Sequence, residues 1–410
     1  MLRRCPLLLD GRALLDADRL IGANLADRRA SFELAFRSLP PHTGFLVVAG
    51  VESLLEMLGK PLIDPTEIPA AKRAAGLSDE LAERLTRFTL TIDVDAVPDG
   101  TIVFPNAPVA TIEGPFLEAS LVASLLRSTV RRATAIATRT ARLHTASAGD
   151  PIIDGSSAQA ASIDASLLAA RAAYVGGASA TTNVVAAAAL ELPFRASPAL
   201  RLGPTGPLLE TTMGEDAWGA LEADELRDLG TGDDEEAVLL EAKRRGLRSG
   251  GWIARGLDDA ETRALSMRCD LVALEQQGAW GSPPANLGAS GGEPAPTPGR
   301  KMVVRYTNGT GRAVADVVHL MAERMRAPRT LGAVTLAPLA RPRMRGGRAL
   351  ELPEPPSQGR ERAIAERASL PEALTHLRNP ATYRVEQSPG VALQREEADK
   401  SRVKLPGRPV

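Results

Sequence analysis

Aromatic side chains are scarce in this chain: Phe, Tyr and Trp together make up 3% of it. Rings supply core volume and stacking surfaces, so a site that needs a flat partner has few candidates here. Cysteine is nearly absent. Cys5 and Cys269 are the only two and lie far apart, which argues against a disulfide framework or a thiolate metal cluster and points to a reducing compartment. Four histidines are present with no His-x-x-x-His pair, so a zinc site is not expected. A dominant charge is missing as well. The net charge is -1 and the pI near 6.5, which leaves no global attraction to nucleic acid or to an acidic membrane. No apolar run is long enough for a bilayer. The run Pro6 to Leu9 near the start is broken at once by Asp10, too short for a signal-peptide core. A soluble, cytoplasmic protein without nucleic-acid or membrane partners is expected.

The 410 residues are 44% hydrophobic and 24% charged, enough to bury a core without a metal or disulfide staple, and a length that suggests more than one domain. ASFELAFRSLP reads as a strand. Gly44–Leu58 reads as an apolar run followed by an amphipathic helix with Leu54, Leu55 and Leu58 on one side. TLTIDVDAV alternates as a strand does, Pro98-Asp99-Gly100 is a turn, and TIVF and VATIEG are further strands. A long helix should start near Pro115, since proline suits a first helical turn. Helices are expected over SIDASLLAARAAYV and over TTNVVAAAALEL, the latter with Thr181 or Thr182 as N-cap. Beyond residue 200 the pattern is a helix at EEAVLLEAKRRG, an apolar run at Trp252–Ala254, a helix DDAETRALSMR and a strand DLVAL. Strand and helix in alternation predict βαβ units and a parallel sheet. Residues 281–300 and 326–362 are rich in Pro and Gly and read as loops or linkers. His319 falls in a stretch that reads as an amphipathic helix, and the last 25 residues or so are polar enough to fray.

Several long segments, in order, resemble the nicotinate phosphoribosyltransferase family. They are FELAFRSLPPHTGFLVVAGVESLLEML, VFPNAPVATIEGPFLEASL, TAIATRTARL, AARAAYVGGASATTNVVA, RGLDDAETRAL, PGRKMVVRY and ATYRVEQS. The resemblance implies an α/β fold: an N-terminal α/β domain over 1–118, an irregular α/β barrel of the type II phosphoribosyltransferase kind over 119–325, and a linker and tail over 326–410 that returns to the N-terminal domain. The chain passes from EEAVLLEAKRRG through GGWIA directly to RGLDD. A βα unit with its returning strand needs about 30 residues, so the barrel is expected to be incomplete. The resemblance also implies a homodimer that joins nicotinate to phosphoribosyl pyrophosphate, giving nicotinate mononucleotide for NAD salvage, with ATP hydrolysis coupled through a phosphohistidine.

That chemistry needs cations for a pyrophosphate leaving group, a ring contact for nicotinate, and the histidine. Set against the family's motifs, this chain is substituted at each. Where the family has Thr-Asp-x-Tyr, Leu9-Asp10-Gly11-Arg12 stands. Asp10 survives, and Arg12 reads either as a ligand group, since arginine stacks and pairs with carboxylates, or as a solvated arginine. Ser156 and Ser157 occupy the family's arginine pair. Arg171 remains, as a ligand group or as a helix-surface arginine. Leu200 falls on the phosphohistidine, and leucine cannot be phosphorylated; Ser197 and Arg201 flank it. Gly176-Gly177 with Thr181, Thr182 and Asn183 can present N–H groups to an anion at a helix start. Gly256, and Gly278, Gly281 and Ser282 of GAWGS, correspond to the family's phosphate loops, although a lone Gly-rich loop is equally a plain turn. No metal ligand is identified. Mg2+ and ATP are needed only if the family's activity persists.

Three readings follow. The chain is a phosphoribosyltransferase-like protein of the NAD-salvage lineage with lost or altered catalysis, or a working enzyme with rearranged site residues, or a non-catalytic interaction protein that keeps only the dimer interface.

Overall fold

The computed structural model describes residues 10–196, 226–229, 235–257, 265–284, 287, 296–325 and 334–403. Asp10 opens the fold by capping α1 (Gly11–Gly22): its carboxylate accepts the N–H groups of Arg12 and Ala13 at 3.0 and 3.2 Å. After β1 (Arg29–Phe36) and the short β2 (Leu46–Val47) comes α2 (Val51–Leu58), whose Leu54, Leu55 and Leu58 are buried. Helices α3 (Ile68–Ala75) and α4 (Asp79–Thr86) precede β3 (Asp93–Ala96), β4 (Ile102–Val103) and β5 (Pro108–Pro115). The expected long helix is α5 (Phe116–Ala146), with Pro115 as its N-cap.

Two sheets follow different rules. Strands β6 (Ile152–Asp154), β7 (Ala180–Thr181), β8 (Leu226–Asp228) and β9 (Gly251–Ala254) form a parallel sheet in the order β7-β6-β9-β8, extended past β7 by a bridge from Thr181 to Phe194. Between them run α6 (Ile163–Gly176), α7 (Val184–Leu190) and α8 (Glu235–Arg244). Among the described residues this sheet has four strands and does not close. The alanines of α6 let it lie tightly on α5. A Cβ on Gly176 would sit 2.2 Å from the carbonyl oxygen of Ala137, so only glycine fits that crossing.

The second sheet has seven strands in the order β11-β10-β1-β5-β3-β15-β16. Its late members are β10 (Met267–Gln276), β11 (Ala279–Gly281), β15 (Arg341–Arg345) and β16 (Arg348–Ala349). The DLVAL strand is therefore not a further barrel strand. It lies in β10, antiparallel to β1 with Leu271 opposite Phe32, because its apolar residues complete the N-terminal core beside Leu34, Phe36 and Ile112. Of the expected DDAETRALSMR helix, residues 258–264 lie outside the described residues and Met267 and Arg268 are strand. The sheet thus crosses the domain limits drawn at 119–325, while residues 341–349 of the tail pair back towards β3.

A third sheet, β14 (Thr335–Pro338), β12 (Lys301–Thr307), β13 (Ala313–Leu320) and β17 (Val385–Gln387), includes His319. That residue sits in a strand rather than a helix. Its segment pairs residue by residue with β12, and the buried Tyr306 hydroxyl meets its Nε2 at 3.0 Å. The Pro/Gly-rich stretch 326–362 is likewise not all loop. It contains β14 to β16 and the start of α9 (Pro356–Ser369), where Pro356 occupies the first helical turn. Of the polar last residues, Pro389–Val403 form helix α10, anchored by buried Val391, and residues 404–410 lie outside the described residues. No helix among the described residues is long and apolar enough to cross a membrane.

Candidate functional site

The C-terminal edge of the parallel sheet gathers Ser156, Ser157, Thr182, Asn183 and Gly256 of the expected residues. Parallel sheets carry chemistry there because loops and helix starts converge on it. Asp154 ends β6 and is almost wholly buried. One of its oxygens accepts the Ser156 N–H at 3.0 Å and the Ser156 hydroxyl at 2.6 Å, and the other accepts the Thr181 hydroxyl at 2.7 Å. Burial pushes the Asp154 carboxyl above the usual carboxylate range, against those same hydrogen bonds. Thr181 Oγ1 in turn accepts the Asn183 N–H at 3.0 Å, and Asn183, rather than Thr181 or Thr182, caps α7 through the Ala186 N–H. Thr181 is not the cap: it is the last residue of β7, and its hydroxyl, which donates to Asp154, accepts the Asn183 N–H rather than one in the first turn of α7. The Thr182 N–H goes to the Asp154 carbonyl at 2.8 Å.

Next to it, the loop after β9 faces another internal carboxylate. Glu235, the first residue of α8, accepts the N–H groups of Arg255 and Gly256 on one oxygen at 2.7 and 2.8 Å. Its other oxygen takes a hydrogen bond from Arg139 of α5 at 3.3 Å. Paired N–H groups with a guanidinium behind them are what an anion needs, and here a side chain of the same chain takes that place. Burial raises the Glu235 pKa, while Gly256 and Arg139 pull it down. The Arg255 guanidinium pairs with Asp228 at the end of β8, at 2.6 Å.

The other expected residues are dispersed. Asp10 caps α1 and accepts the Ser124 hydroxyl at 2.5 Å, and that hydrogen bond leads in holding its carboxyl below the usual range. Arg12 is exposed beside Asp16, the solvated reading. Ser157 stays at the sheet edge, half-buried, one residue beyond the Asp154 network. Arg171 is not a helix-surface arginine. It is 3% exposed and donates to Glu56 at 2.5 Å and to the Glu354 carbonyl at 2.8 Å. Gly278, Gly281 and Ser282 belong to the hairpin joining β10 to β11 and its exit, on the edge of the seven-stranded sheet. Gly278 has φ +81 with open space around it, as a hairpin turn requires. Ser197, Leu200 and Arg201 lie outside the described residues. Among the histidines, His144 accepts from Arg367 at 2.9 Å, and burial with the Arg367 and Arg360 charges lowers its pKa to about 4.

Sequence reasoning missed a cleft of about 510 Å³ on the other side of β1. Arg37, Arg268, Lys301 and Arg395 line it, with Glu33, Asn106 and Gln387. Lys301 is fixed by the carbonyls of Thr297 and Gly299 at 2.7 and 2.9 Å and by Glu33 at 2.9 Å. Arg268 pairs with Asp270 at 2.9 Å. These cations come from β1, β10, β12 and α10, so no local motif could have revealed them as a group. Lys301 alone carried a signal, through its place in the segment PGRKMVVRY. A second cleft, of about 530 Å³, holds Asp27, Glu80, Glu83 and Glu118 against Arg84 and Arg87. Among the described residues no group of three or more His, Cys, Asp or Glu could hold a metal ion.

Comparison with known proteins agrees with this architecture. Residues 17–131 match the nicotinate phosphoribosyltransferase N-terminal domain. A nicotinate phosphoribosyltransferase of Mycobacterium tuberculosis is 32% identical over 164 residues, 40% of this chain and 35% of that protein. One from Bacillus subtilis is 31% identical over 167 residues, 41% and 34% of the two chains. The matched region thus spans about a third of those relatives. The crystal structure of human nicotinic acid phosphoribosyltransferase superposes with a TM-score of 0.72 at 17% identity, over 96% of this chain and 100% of that one. A nicotinate-nucleotide pyrophosphorylase from Pyrococcus furiosus gives 0.60 at 17% identity, over 90% and 97%. At that identity the structures speak for the fold, a mixed α/β architecture of the type II phosphoribosyltransferase kind. The chain thus carries a nicotinate phosphoribosyltransferase N-terminal domain over residues 17–131 and shares the fold of the human enzyme over 96% of its length.

Proposed function

We propose that this member of the NAD-salvage lineage has lost or altered the transfer of a phosphoribosyl group to nicotinate. One observation carries the reading: at the C-terminal edge of the parallel sheet, the N–H groups of Ser156, Arg255 and Gly256 are already taken by Asp154 and Glu235. A pyrophosphorylated sugar binding there would meet two internal carboxylates and would have to displace them. Each charge-assisted hydrogen bond that a ligand fails to gain costs it about 1.5–3 kcal/mol. Arg139 and Arg171, buried guanidiniums of α5 and α6, are committed to Glu235 and Glu56. The test is to incubate the purified protein with nicotinate, phosphoribosyl pyrophosphate, magnesium and ATP. No nicotinate mononucleotide above the uncatalysed background is expected; formation at enzymatic turnover would end the reading.

The cleft between β1, β12 and α10 favours a second reading, a working enzyme with a rearranged anion site. Arg37, Arg268, Lys301 and Arg395 against Glu33 leave it with an excess of positive charge, suited to a phosphate or pyrophosphate. Thermal shift separates the cases. A ligand that binds only the folded state raises the melting temperature, so stabilisation by phosphoribosyl pyrophosphate without product supports altered catalysis, and stabilisation with product supports the enzyme.

A further inference from the structure

Between α2, α6 and the C-terminal segment lies a buried cluster of charges that the function above does not use. Glu52 of α2 is 1% exposed. Its Oε2 accepts Arg343 Nη2 of β15 at 2.6 Å and the Glu354 N–H at 2.9 Å. Its Oε1 is buried with no hydrogen-bond partner. Asp99, in the turn before β4, is equally buried. One oxygen accepts the Val51 N–H at the start of α2 at 2.9 Å, and the other, Oδ2, is also without a partner. Two carboxylates with stranded oxygens, each buried, cannot both carry charge cheaply.

The surrounding groups do not relieve them. Glu354 draws Arg341 and Arg362. Arg171 of α6 turns to Glu56 and to the Glu354 carbonyl, although its charge also reaches Asp99. Arg362 of α9 donates to the Asp99 carbonyl. Arg343 is the guanidinium that pairs with the Glu52 carboxylate, and its Nη1 stands 3.9 Å from Glu354. Thus the carboxylates of α2 and its turn meet arginines carried by α6, β15 and α9, and the cluster is a charged seam that, beside the pairing of β15 with β3, joins residues 341–362 to α2 and α6.

We propose that this seam is a proton-operated latch, closed when Glu52 holds a proton on Oε1 and loosened when that proton leaves. The protonated form keeps Oε2 for Arg343 and the Glu354 N–H, and removes one of the two facing negative charges. Deprotonation leaves a buried anion beside Asp99 and Glu354 with one guanidinium to meet it. Burial first, then the Asp99 charge, raises the Glu52 pKa to about 7, which puts the change near neutrality. The sign follows from linkage. The folded-state pKa lies above the unfolded value, so the stabilising contribution is full below about 4.5 and is lost as pH rises through about 7. Because Arg171 sits on α6, which leads to the Thr181–Asn183 edge of the parallel sheet, opening the latch should loosen that helix as well.

The test uses the full chain. Melting temperature is followed from about pH 4.5 to about pH 8, across the interval between the unfolded and folded values, for wild type and Glu52→Gln. Wild type should lose several degrees across that range, while Glu52→Gln, which keeps a neutral group of the same shape, should lose little. Hydrogen exchange should rise with pH at residues 341–362 of wild type before it rises in β1 and β5. Should Glu52→Gln fail to fold, Asp99→Asn and the infrared band of a protonated carboxyl in the wild type serve instead: that band should titrate near neutrality. An identical pH slope in wild type and variant, no protonated carboxyl band at pH 6, or exchange at 341–362 that ignores pH would each overturn the latch.

Discussion

The edge of the parallel sheet and the cleft beside β1 are opposite solutions to placing charge. At the sheet edge, among the described residues, the named donors are met from within. Asp154 holds Ser156 and Thr181, and Glu235 holds Arg255, Gly256 and Arg139. In the cleft, Lys301 is held by Glu33 and Arg268 by Asp270, and four cations, with Arg37 and Arg395, line the space against the one carboxylate of Glu33. The chain is therefore not short of guanidinium and ammonium groups. They have been assembled away from the place where the family's sequence motifs would look for them.

The comparison breaks most sharply at Glu235. Replacing it by Ala strands Arg139 in the interior, and removing one partner of a buried pair costs about 3–5 kcal/mol. Denaturant unfolding measures it, and Glu235→Gln, which can still accept the two N–H groups, should cost less. A loss near zero would mean that the carboxylate is not what holds the loop after β9. Asp154→Ala should follow at about 3 kcal/mol, since each buried donor left unsatisfied costs about 1–3 kcal/mol. Its effect should be non-additive with Thr181→Val, because the two share a hydrogen bond.

On the cleft side, Arg37→Ala together with Arg395→Ala should weaken pyrophosphate binding about tenfold or more, with a shallower salt dependence. Calorimetric titration at two ionic strengths reads both, and an unchanged affinity would remove the cleft as an anion site. The smallest effect is expected at Gly278. An alanine there must adopt φ near +81 in open space, costing about 1 kcal/mol, and anion binding should not change. A loss of affinity in Gly278→Ala would return the GAWGS hairpin to the phosphate-loop reading.

Much of the fold was legible where one period of apolar residues dominates. Strand β1, the α2 helix, the turn at Pro98-Asp99-Gly100 and the long α5 follow from alternation, from Leu54, Leu55 and Leu58, and from Pro115. The reading failed where long-range pairing decides. His319 lies in VADVVHL, whose apolar residues fit a helix as well as a strand until β12 is set beside them. DLVAL follows a helical pattern as a barrel strand would, but its partner is β1, far back in sequence. The Gly346-Gly347 pair at positive φ made residues 326–362 read as loop, although it turns β15 into β16. At the site, Ser156, Thr182 and Asn183 were each singled out by the resemblance, and the fold sets them side by side because they follow the adjacent strands β6 and β7. Asp154 and Glu235, which decide what those neighbours can do, looked like ordinary acidic residues at the ends of PIID and before EAVLL. Only the folded chain brings each to its N–H partners.

The most direct measurement is a hydrogen-exchange footprint with and without phosphoribosyl pyrophosphate and magnesium. Protection should appear at residues 33–37, 301–303 and 387–395 around the cleft, with none at 154–157, 181–183 or 255–256. Protection at those sheet-edge segments instead would contradict an edge closed by Asp154 and Glu235.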